Sequence, residues 1–280
     1  MITDWKQKWS YRLAGIVALV VIWYLAALIV QRGNSRGATI LPSPIEVFAS
    51  DIPGLAVFAE GSTKSDWGQA AIVVLQQSTI SLLRLLGGTS LGVAAGVGVG
   101  MLLGYSAIVR SLTEPVLNFV RTIPILALIP LFLAWFGGSE IGNIVYIAFA
   151  VFSMVIINTI EAIRHVPPVY FQYARTLGAG RLRAYRTVVL PAMLPELVGG
   201  IRVVIGFSWA ILLAAEYLAS QSGLGRILIM AEKWLYTGRM IVVIILIIAY
   251  SLLLNWLFIM LAGYLTRWVP RISDSPRADG

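Results

Sequence analysis

Six long apolar windows, separated by polar segments, are the feature that most constrains this chain. A helix needs about 20 mostly apolar residues to cross a hydrocarbon core roughly 30 Å thick. The windows that meet this requirement in the 280-residue sequence are 13–30, 87–104, 115–136, 141–160, 197–219 and 240–265. The sequence therefore predicts an all-α, polytopic membrane protein with six transmembrane helices.

The composition agrees with a lipid environment. Charged residues make up 12% of the chain and the mean hydropathy is +0.85, whereas soluble domains carry about a quarter charged residues. The chain has no cysteine, which excludes disulfides, thiolate metal sites and cysteine nucleophiles. The net charge is +8, and most of the basic residues lie outside the apolar windows. We therefore expect the charge to set topology, and we expect no nucleic-acid partner.

The distribution of basic residues predicts the orientation. With the N-terminus inside, fourteen Lys and Arg residues fall on the inner side and seven on the outer side. By the positive-inside rule, both termini lie in the cytoplasm, and we expect a multi-pass protein of the bacterial inner membrane. The first window is long for a signal peptide and lacks a small-residue cleavage site, so we interpret it as a retained anchor.

The chain divides into three predicted regions. Residues 1–86 hold the anchor and outer amphipathic helices, residues 87–266 form a core that includes a cytoplasmic loop at 161–195, and residues 267–280 form a cytoplasmic tail. Ser43, Pro44 and Glu46 form a capping-box start for a short helix over 45–49. The helical pattern of 67–86 predicts an extension that runs into the second span.

The second span carries a glycine at every fourth position. Glycines on one helical face allow two helix backbones to approach closely within a membrane. We interpret them as a packing seam, and a helix that moves during transport is the alternative use of the same residues. The five positions are Gly88, Gly92, Gly96, Gly100 and Gly104.

The third span contains three prolines, Pro115, Pro124 and Pro130. Proline deletes a helical hydrogen bond, so we expect two of the three to mark bends at membrane depth. Broken membrane helices are tolerated where they face protein or a water-filled cavity. This helix is a candidate wall of a translocation pathway, with Pro124 and Pro130 as candidate residues, and a kinked packing helix is the alternative.

The inner loop at 161–195 is long for a simple turn. Its pattern predicts two short helices, 168–177 and 181–189, which are joined by Gly178-Ala179-Gly180 and stopped by Pro191. Four arginines would surround an apolar stripe that a partner's groove could receive. The arginines are Arg175, Arg181, Arg183 and Arg186, and the stripe is Leu177, Leu182, Tyr185, Val188 and Val189.

The loop contains two runs with nine residues between them, Gln172-Tyr173-Ala174-Arg175-Thr176-Leu177-Gly178 and Val188-Val189-Leu190-Pro191. In these runs the loop resembles the EAA loop of ATP-binding cassette (ABC) importer permeases. Ala174, Gly178, Leu190 and Pro191 match that signature, and Val188 replaces isoleucine. Gln172 stands where the family has glutamate, and Tyr173 stands where it has alanine.

Other segments are similar to the permease branch that serves nitrate, bicarbonate, taurine, alkanesulfonates and thiamine precursors. They are Leu41-Pro42-Ser43-Pro44, Arg121-Thr122-Ile123-Pro124, Leu128-Ile129-Pro130-Leu131, Trp135-Phe136-Gly137, Ala215-Glu216 and Ser222-Gly223-Leu224-Gly225.

The resemblance implies a type I, MetI-like permease architecture and three partners: a second permease copy, cytoplasmic ATPase subunits and an external substrate-binding protein. The implied ATPase-coupling residues are Gln172, Ala174, Arg175, Leu177, Gly178, Ala179, Gly180, Arg181, Val188, Leu190 and Pro191. The chain has no Gly-rich phosphate-binding loop ending in Lys-Ser or Lys-Thr. We therefore expect no cofactor in this chain, with ATP and Mg on the ATPase.

Polar residues at membrane depth are the remaining site candidates, because ionisable groups are costly there. Glu216 could face the pathway or its gate, or it could pair at the interface with Arg226 or Arg239. For Arg202 we expect snorkelling to headgroups, and for Asn158 a helix–helix hydrogen bond or a place in the pathway. His165 has too few neighbouring ligands for a metal and is interpreted as a solvated loop residue.

Three functions fit these features to different degrees. A transport subunit coupled to an ATPase agrees with the loop and with the six spans. A carrier or channel that works alone would need midplane charges or matching broken helices in two halves. A membrane-embedded enzyme would need a paired acid and base or a metal cluster, and the loop does not offer one. The sequence therefore favours a transport subunit that is not an enzyme.

Overall fold

The computed structural model describes residues 2–34, 36–58 and 65–268, and these residues form helices and connecting turns without a strand. Of the predicted tail 267–280, residues 269–280, with Arg271 and Arg277, lie outside the described residues. The α-helices are α1 (Ile2–Gly33), α2 (Gly37–Ile40), α3 (Pro44–Glu46), α4 (Ile52–Gly54), α5 (Trp67–Tyr105), α6 (Ala107–Thr122), α7 (Ile129–Phe136), α8 (Glu140–Arg164), α9 (Pro168–Thr176), α10 (Arg181–Ala184), α11 (Leu190–Ala219), α12 (Leu224–Lys233) and α13 (Thr237–Leu265).

Five helical stretches of the described chain are long and apolar enough to cross a membrane. They are Ala14–Gly33, Trp67–Tyr105, Glu140–Arg164, Arg181–Leu218 and Thr237–Leu265. A sixth span exists if Ser111–Val120 and Ile125–Phe136, which meet at 78°, are counted together. Five predicted windows are thus continuous helices and the third is a bent pair. The predicted extension over 67–86 is confirmed, because α5 runs unbroken through it.

The break in the third span lies at Pro124. Ile123 and Pro124 both leave the helical region, with ψ of 122° and 106°, because a proline disfavours helical backbone in the residue before it. A short 3-10 segment, Ile125–Leu128, then leads into α7. Pro115 lies inside α6 without ending it, and Pro130 lies in the first turn of α7, where no amide hydrogen is needed. The expectation of two proline bends is therefore wrong, since only Pro124 coincides with the break.

The described chain packs as two compact units. The first contains residues up to 80 together with 222–248. In it the predicted capping box is confirmed: the Ser43 hydroxyl accepts from the Glu46 amide at 3.3 Å, and the Glu46 carboxylate accepts from the Ser43 amide at 2.7 Å. The helix continues past the predicted 45–49 through a π-helical turn, Val47–Asp51. Gln31 on α1 donates to the Glu46 carboxylate at 3.0 Å, which joins the capping box to the first helix.

The second unit contains residues 81–221 together with the chain from 249 onward. Its core includes a cluster on α8, on α11 and on the residue directly before α11, formed by Ala162, Ile163, Val189, Met193, Leu197 and Ile201. Many apolar side chains elsewhere on the spans are exposed, such as Leu252 and Trp256 on α13. Such a surface suits lipid, and it would be unfavourable in water.

Candidate coupling loop, cavity and buried charge cluster

The predicted inner loop is built around a glycine turn at the end of α9. Gly178 has φ of +80°, a region that side chains other than glycine rarely adopt. The Gly178 amide donates to the Arg175 carbonyl at 2.9 Å, and the Ala179 amide donates to the Ala174 carbonyl at 3.0 Å. These two bonds form a Schellman motif, which satisfies the last carbonyls of the helix. The predicted reversal at Gly178-Ala179-Gly180 is confirmed.

The second predicted loop helix does not stop at Pro191. α10 passes through a π-helical turn, Tyr185–Val189, directly into α11, and Pro191 lies in the first turn of α11. Proline has no amide hydrogen to donate, and the π-helical turn directly before it changes the hydrogen-bond pattern at this point of the helix. The stop at Pro191 was therefore wrong, and the helical run that begins at Arg181 continues into the fifth span.

The apolar stripe of the loop divides into two parts. Leu177, at the turn, is 87% exposed, and Leu182 is 57% exposed. Val189 is buried in the core, and the Tyr185 hydroxyl donates to the Met101 carbonyl at 2.7 Å. The prediction that a partner's groove receives this whole stripe is thus wrong, because Tyr185 and Val189 pack against the protein itself. The exposed apolar tip consists of Tyr173, Leu177 and Leu182.

The other residues assigned to coupling differ in exposure. Ala174 is buried, and Ala179, Val188, Leu190 and Pro191 are half-buried. Exposed positions are Gln172, Gly180 and the basic residues Arg175, Arg181, Arg183 and Arg186. His165, near the start of the loop, is exposed as predicted. Its Nδ1 lies 2.5 Å from the Glu196 carboxylate, a partner that the sequence did not indicate.

The five-glycine face of α5 lies directly against α8. A Cβ atom added at Gly92, Gly96 or Gly100 would come within 2.6 to 2.8 Å of α8 atoms, distances that real Cβ contacts essentially never show. The facing α8 residues also repeat every fourth position: Ile147, Val151, Val155, Thr159 and Ile163 face Gly88, Gly92, Gly96, Gly100 and Gly104 in turn. The two helices therefore approach as closely as their backbones allow.

A cavity of about 580 Å³ lies in the second unit beside the broken third span. Its wall includes Pro124, Asn158 and Ser153, with apolar side chains such as Phe149 and Phe207 around them. Two of the four pathway candidates, Pro124 and Asn158, therefore line one cavity. Neither Pro130 nor Glu216 is among its described lining residues. Asn158 also lies against Gly200 of α11, where an added Cβ would be 3.0 Å from the amide nitrogen.

Glu216 belongs to a buried charge cluster instead. Arg84 on α5 donates to Glu216 on α11 from Nη1 at 2.9 Å and to Glu140 on α8 from Nε at 2.6 Å. The Ser81 hydroxyl donates to Glu216 at 2.8 Å. Arg84 and Glu216 are 2% and 0% exposed, so this ion pair is withdrawn from both water and lipid.

The sequence suggested Arg226 or Arg239 as a partner of Glu216, whereas the structure shows Arg84 as a partner. Arg239 lies over the Tyr236 ring at 3.8 Å. In the sequence, Arg84 lies in the predicted helical extension over 67–86, and its position 132 residues before Glu216 gives no signal of a pair. Arg202, expected to snorkel, donates to Asn255 on α13 at 2.9 Å. Residues 2–34, 36–58 and 65–268 hold no cluster of three or more potential metal ligands.

Membrane-spanning helices, a cavity beside a broken span and an exposed glycine-turned loop define a polytopic transport subunit. The profile of the family described as "Binding-protein-dependent transport system inner membrane component" matches residues 92–271. The chain belongs to this family and is the permease subunit of an ABC importer, a multi-pass inner-membrane protein. Membership implies ATPase and binding-protein partners.

Similar proteins extend the match beyond the profile. The chain is 31% identical to the bicarbonate transport system permease protein CmpB of Synechococcus elongatus, over 95% of this chain and 92% of that protein. It is 32% identical to the putative aliphatic sulfonates transport permease protein SsuC of Bacillus subtilis, with 94% and 89% covered. The taurine transport system permease protein TauC of Escherichia coli is 34% identical, with 63% and 65% covered.

Solved structures share the fold. An inward-facing structure of the MetNI methionine ABC transporter matches with a TM-score of 0.58 at 20% identity, covering 74% of this chain and all of that one. An amino acid ABC transporter matches with a TM-score of 0.55 at 19% identity, covering 72% and 96%. The predicted MetI-like fold is therefore confirmed.

Proposed function

We propose that this permease pairs with a second copy to form the pathway for a small anion, of the bicarbonate or sulfonate type, that an external binding protein delivers. The names of the similar permeases CmpB, SsuC and TauC support this substrate class. ATP and Mg bind to a separate ATPase, in agreement with the absence of a phosphate-binding loop from the sequence.

The exposed tip of the inner loop is the observation that carries the coupling role. Leu177, directly after α9, is 87% exposed, and Tyr173 and Leu182 are 64% and 57% exposed. The last turns of α9 and α10 carry basic residues. An apolar ridge with a basic rim has the form that a groove on a soluble protein receives. We assign this tip to the contact with the ATPase, so that nucleotide-driven closure moves the spans through α9 and α10.

Cross-linking tests this contact. The chain has no cysteine, so Ala179→Cys provides a single reactive site in the turn. We expect it to cross-link to an ATPase that copurifies with the permease, and we expect Leu177→Asp to lower copurification and ATP-driven uptake together. The control is Thr39→Cys, an exposed position in the first unit. Cross-linking from Thr39→Cys to the ATPase, or uptake that proceeds without ATP, would contradict the proposal and favour a carrier that works alone.

The orientation needs its own experiment. Both termini and the inner loop are placed in the cytoplasm by charge distribution alone. A membrane-impermeant maleimide should label Thr39→Cys in intact cells, and it should label Arg183→Cys only after the membrane is opened. Labelling of Arg183→Cys in intact cells would reverse the orientation and remove the coupling proposal with it.

The cavity beside Pro124 and Asn158 is the proposed part of the pathway in this chain. Ala210 lines it, so Ala210→Trp should fill it and strongly lower the maximal uptake rate. Ala94→Trp, at an exposed position of α5 that is not among the cavity's lining residues, is the matched control. Normal uptake by Ala210→Trp would show that the substrate passes elsewhere.

A further inference from the structure

The cavity of the proposed pathway has two different ends. On α8, its lining residues lie over 149–161, and the inner loop follows at the end of that helix. On α11, they lie over 207–211, and the loop precedes that helix. The start of α8 and the end of α11 therefore lie at the opposite end of the cavity, which we call the far end. Asn143 on α8 and Ser220, directly after α11, meet there, because the Asn143 amide donates to the Ser220 hydroxyl at 2.8 Å.

The segment 125–136, which we call the flap, covers the far end. It consists of the 3-10 segment after Pro124 and of α7, and it lies between two breaks in the helical backbone. At one break Pro124 is extended, and at the other Gly137 has φ of +63°, a conformation that favours glycine. Hinges absorb changes of φ and ψ at such element-terminal residues. The two breaks therefore allow the flap to rotate as a unit.

Aromatic side chains close the far end beneath the flap. Phe132 on the flap packs against Tyr146 and Phe149 on α8, with ring centroids 5.3 and 5.6 Å apart. The space that Phe132 and Tyr146 line together with Ala215 of α11 measures about 10 Å³, roughly the volume that one water molecule needs. A solute therefore cannot pass this aromatic layer while the flap is in place.

The helices around the flap are fastened more strongly than the flap itself. Arg84 ties α5 to α8 through Glu140 and to α11 through Glu216, and a buried ion pair of this kind is costly to break. By contrast, aromatic packing joins the flap to α8, together with a hydrogen bond from the Tyr146 hydroxyl to the Ile125 carbonyl at 3.1 Å. When the far end opens, the flap is therefore the element that moves at the lowest cost.

We propose that the flap is the gate of the far end. Rotation about Pro124 and Gly137 moves Phe132 away from α8, opens the aromatic layer and admits the solute to the cavity. Tyr146 is a positioning residue of this gate, because its bond to Ile125 holds the flap shut. The gate rests on the proposed pathway, since closing the cavity matters for transport only if the cavity carries the solute.

The absence of cysteine from the sequence allows a direct test of access to the cavity. Ser153→Cys places one thiol in the cavity wall, behind the aromatic layer. The probe is the membrane-impermeant cation methanethiosulfonate ethyltrimethylammonium, applied to intact cells and to inside-out vesicles. The side from which Arg183→Cys stays unlabelled is the side of the far end. From that side, Ser153→Cys should react much more slowly than Thr39→Cys, which is exposed.

Two further changes in the Ser153→Cys background loosen the gate in different ways. Tyr146→Phe removes only the hydrogen bond to Ile125, and it should raise the labelling rate from the far side about two- to tenfold, the effect of one net hydrogen bond. Phe132→Ala removes the ring that fills the layer and should raise the rate further. Leu131→Ala is the matched control and should leave the rate unchanged, because Leu131 lies on the flap, is 42% exposed and lines neither cavity.

Glu140→Gln tests the competing movement of the surrounding helices. It weakens the bond between α5 and α8 and leaves the flap intact, so the labelling rate should stay at the parent value. An increase as large as that of Phe132→Ala would show that α8 moves instead of the flap. The gate is also wrong if Phe132→Ala leaves the rate unchanged or if Leu131→Ala matches it. Thermal unfolding in one detergent shows whether each variant is folded, and the conservative Tyr146→Phe decides the question if Phe132→Ala does not fold.

The labelling assay needs neither the solute nor the ATPase, so it separates the gate from the proposed pathway. Normal uptake by Ala210→Trp together with faster labelling in Phe132→Ala would contradict the pathway alone. Reduced uptake by Ala210→Trp together with unchanged labelling in Phe132→Ala would contradict the gate alone.

Discussion

The contact between α5 and α8 allows a comparison of two glycines that are only two residues apart. An added Cβ at Gly96 would lie 2.8 Å from Val155 Cβ and 3.2 Å from the Ile156 amide nitrogen. An added Cβ at Gly98 would meet no atom within 4 Å. Both residues lie inside the same continuous helix, so the change to alanine alters helix propensity equally at both positions.

The expected magnitudes follow from this geometry. Alanine is favoured over glycine by about 1 kcal/mol in a helix interior, and Gly98→Ala should therefore stabilise the chain by up to that amount. Gly96→Ala gains the same propensity, but forcing an atom into a close-packed contact costs about 1–3 kcal/mol. Because the gain in helix propensity is the same at both positions, Gly96→Ala should be about 1–3 kcal/mol less stable than Gly98→Ala.

Equilibrium or thermal unfolding in one detergent measures this difference directly. Gly96→Leu should go further and lower the yield of assembled transporter, because its side chain would have to displace α8. Equal stabilisation by Gly96→Ala and Gly98→Ala would refute the close contact. Normal stability with reduced uptake in Gly96→Ala would instead support a helix that moves during transport.

Further predictions concern the buried charges and the capping box. Arg84→Met leaves the buried Glu216 carboxylate without its arginine partner and should cost about 3–5 kcal/mol of unfolding free energy. The double change with Glu216→Leu should recover most of this cost, and a double variant as unstable as Arg84→Met would contradict the pairing. Hydrogen bonding by the Ser43 backbone amide lowers the pKa of Glu46 below its ordinary value of 4.5. A carboxyl group whose pKa is lowered by folding adds its full stabilisation at pH values above its ordinary pKa. This stabilisation is lost as the pH falls through the lowered pKa. On acidification, the stability advantage of the parent over Glu46→Gln should therefore shrink, and an advantage that grows would show the opposite shift. Burial raises the pKa of Asp51, so Asp51 binds its proton more tightly in the folded state and adds to the free energy of unfolding as the pH falls. Asp51→Asn should remove this contribution, so the stability of the variant relative to the parent should fall on acidification.

Patterns that depend on neighbours in sequence were predicted well. The capping box at Ser43, the glycine turn at Gly178 and the six apolar windows all concern backbone groups or side chains within a few turns of one another. Local signals were less reliable at prolines, because the same residue can break a helix or begin one. Pro124 breaks the third span, whereas Pro130 lies in the first turn of α7 and Pro191 lies within the helical run that starts at Arg181.

The length of the apolar windows by itself determined that this chain is a polytopic membrane protein. Backbone N–H and C=O groups must be hydrogen-bonded within lipid, and a helix satisfies them within one segment. Only the tertiary structure decided which helices meet. The spacing of the α5 glycines indicated a close contact without identifying α8, and the 132 residues between Arg84 and Glu216 concealed their pairing. Packing, and the free-energy cost of leaving a charge unpaired in a low-dielectric interior, decide these partners. Both depend on residues that are distant in sequence.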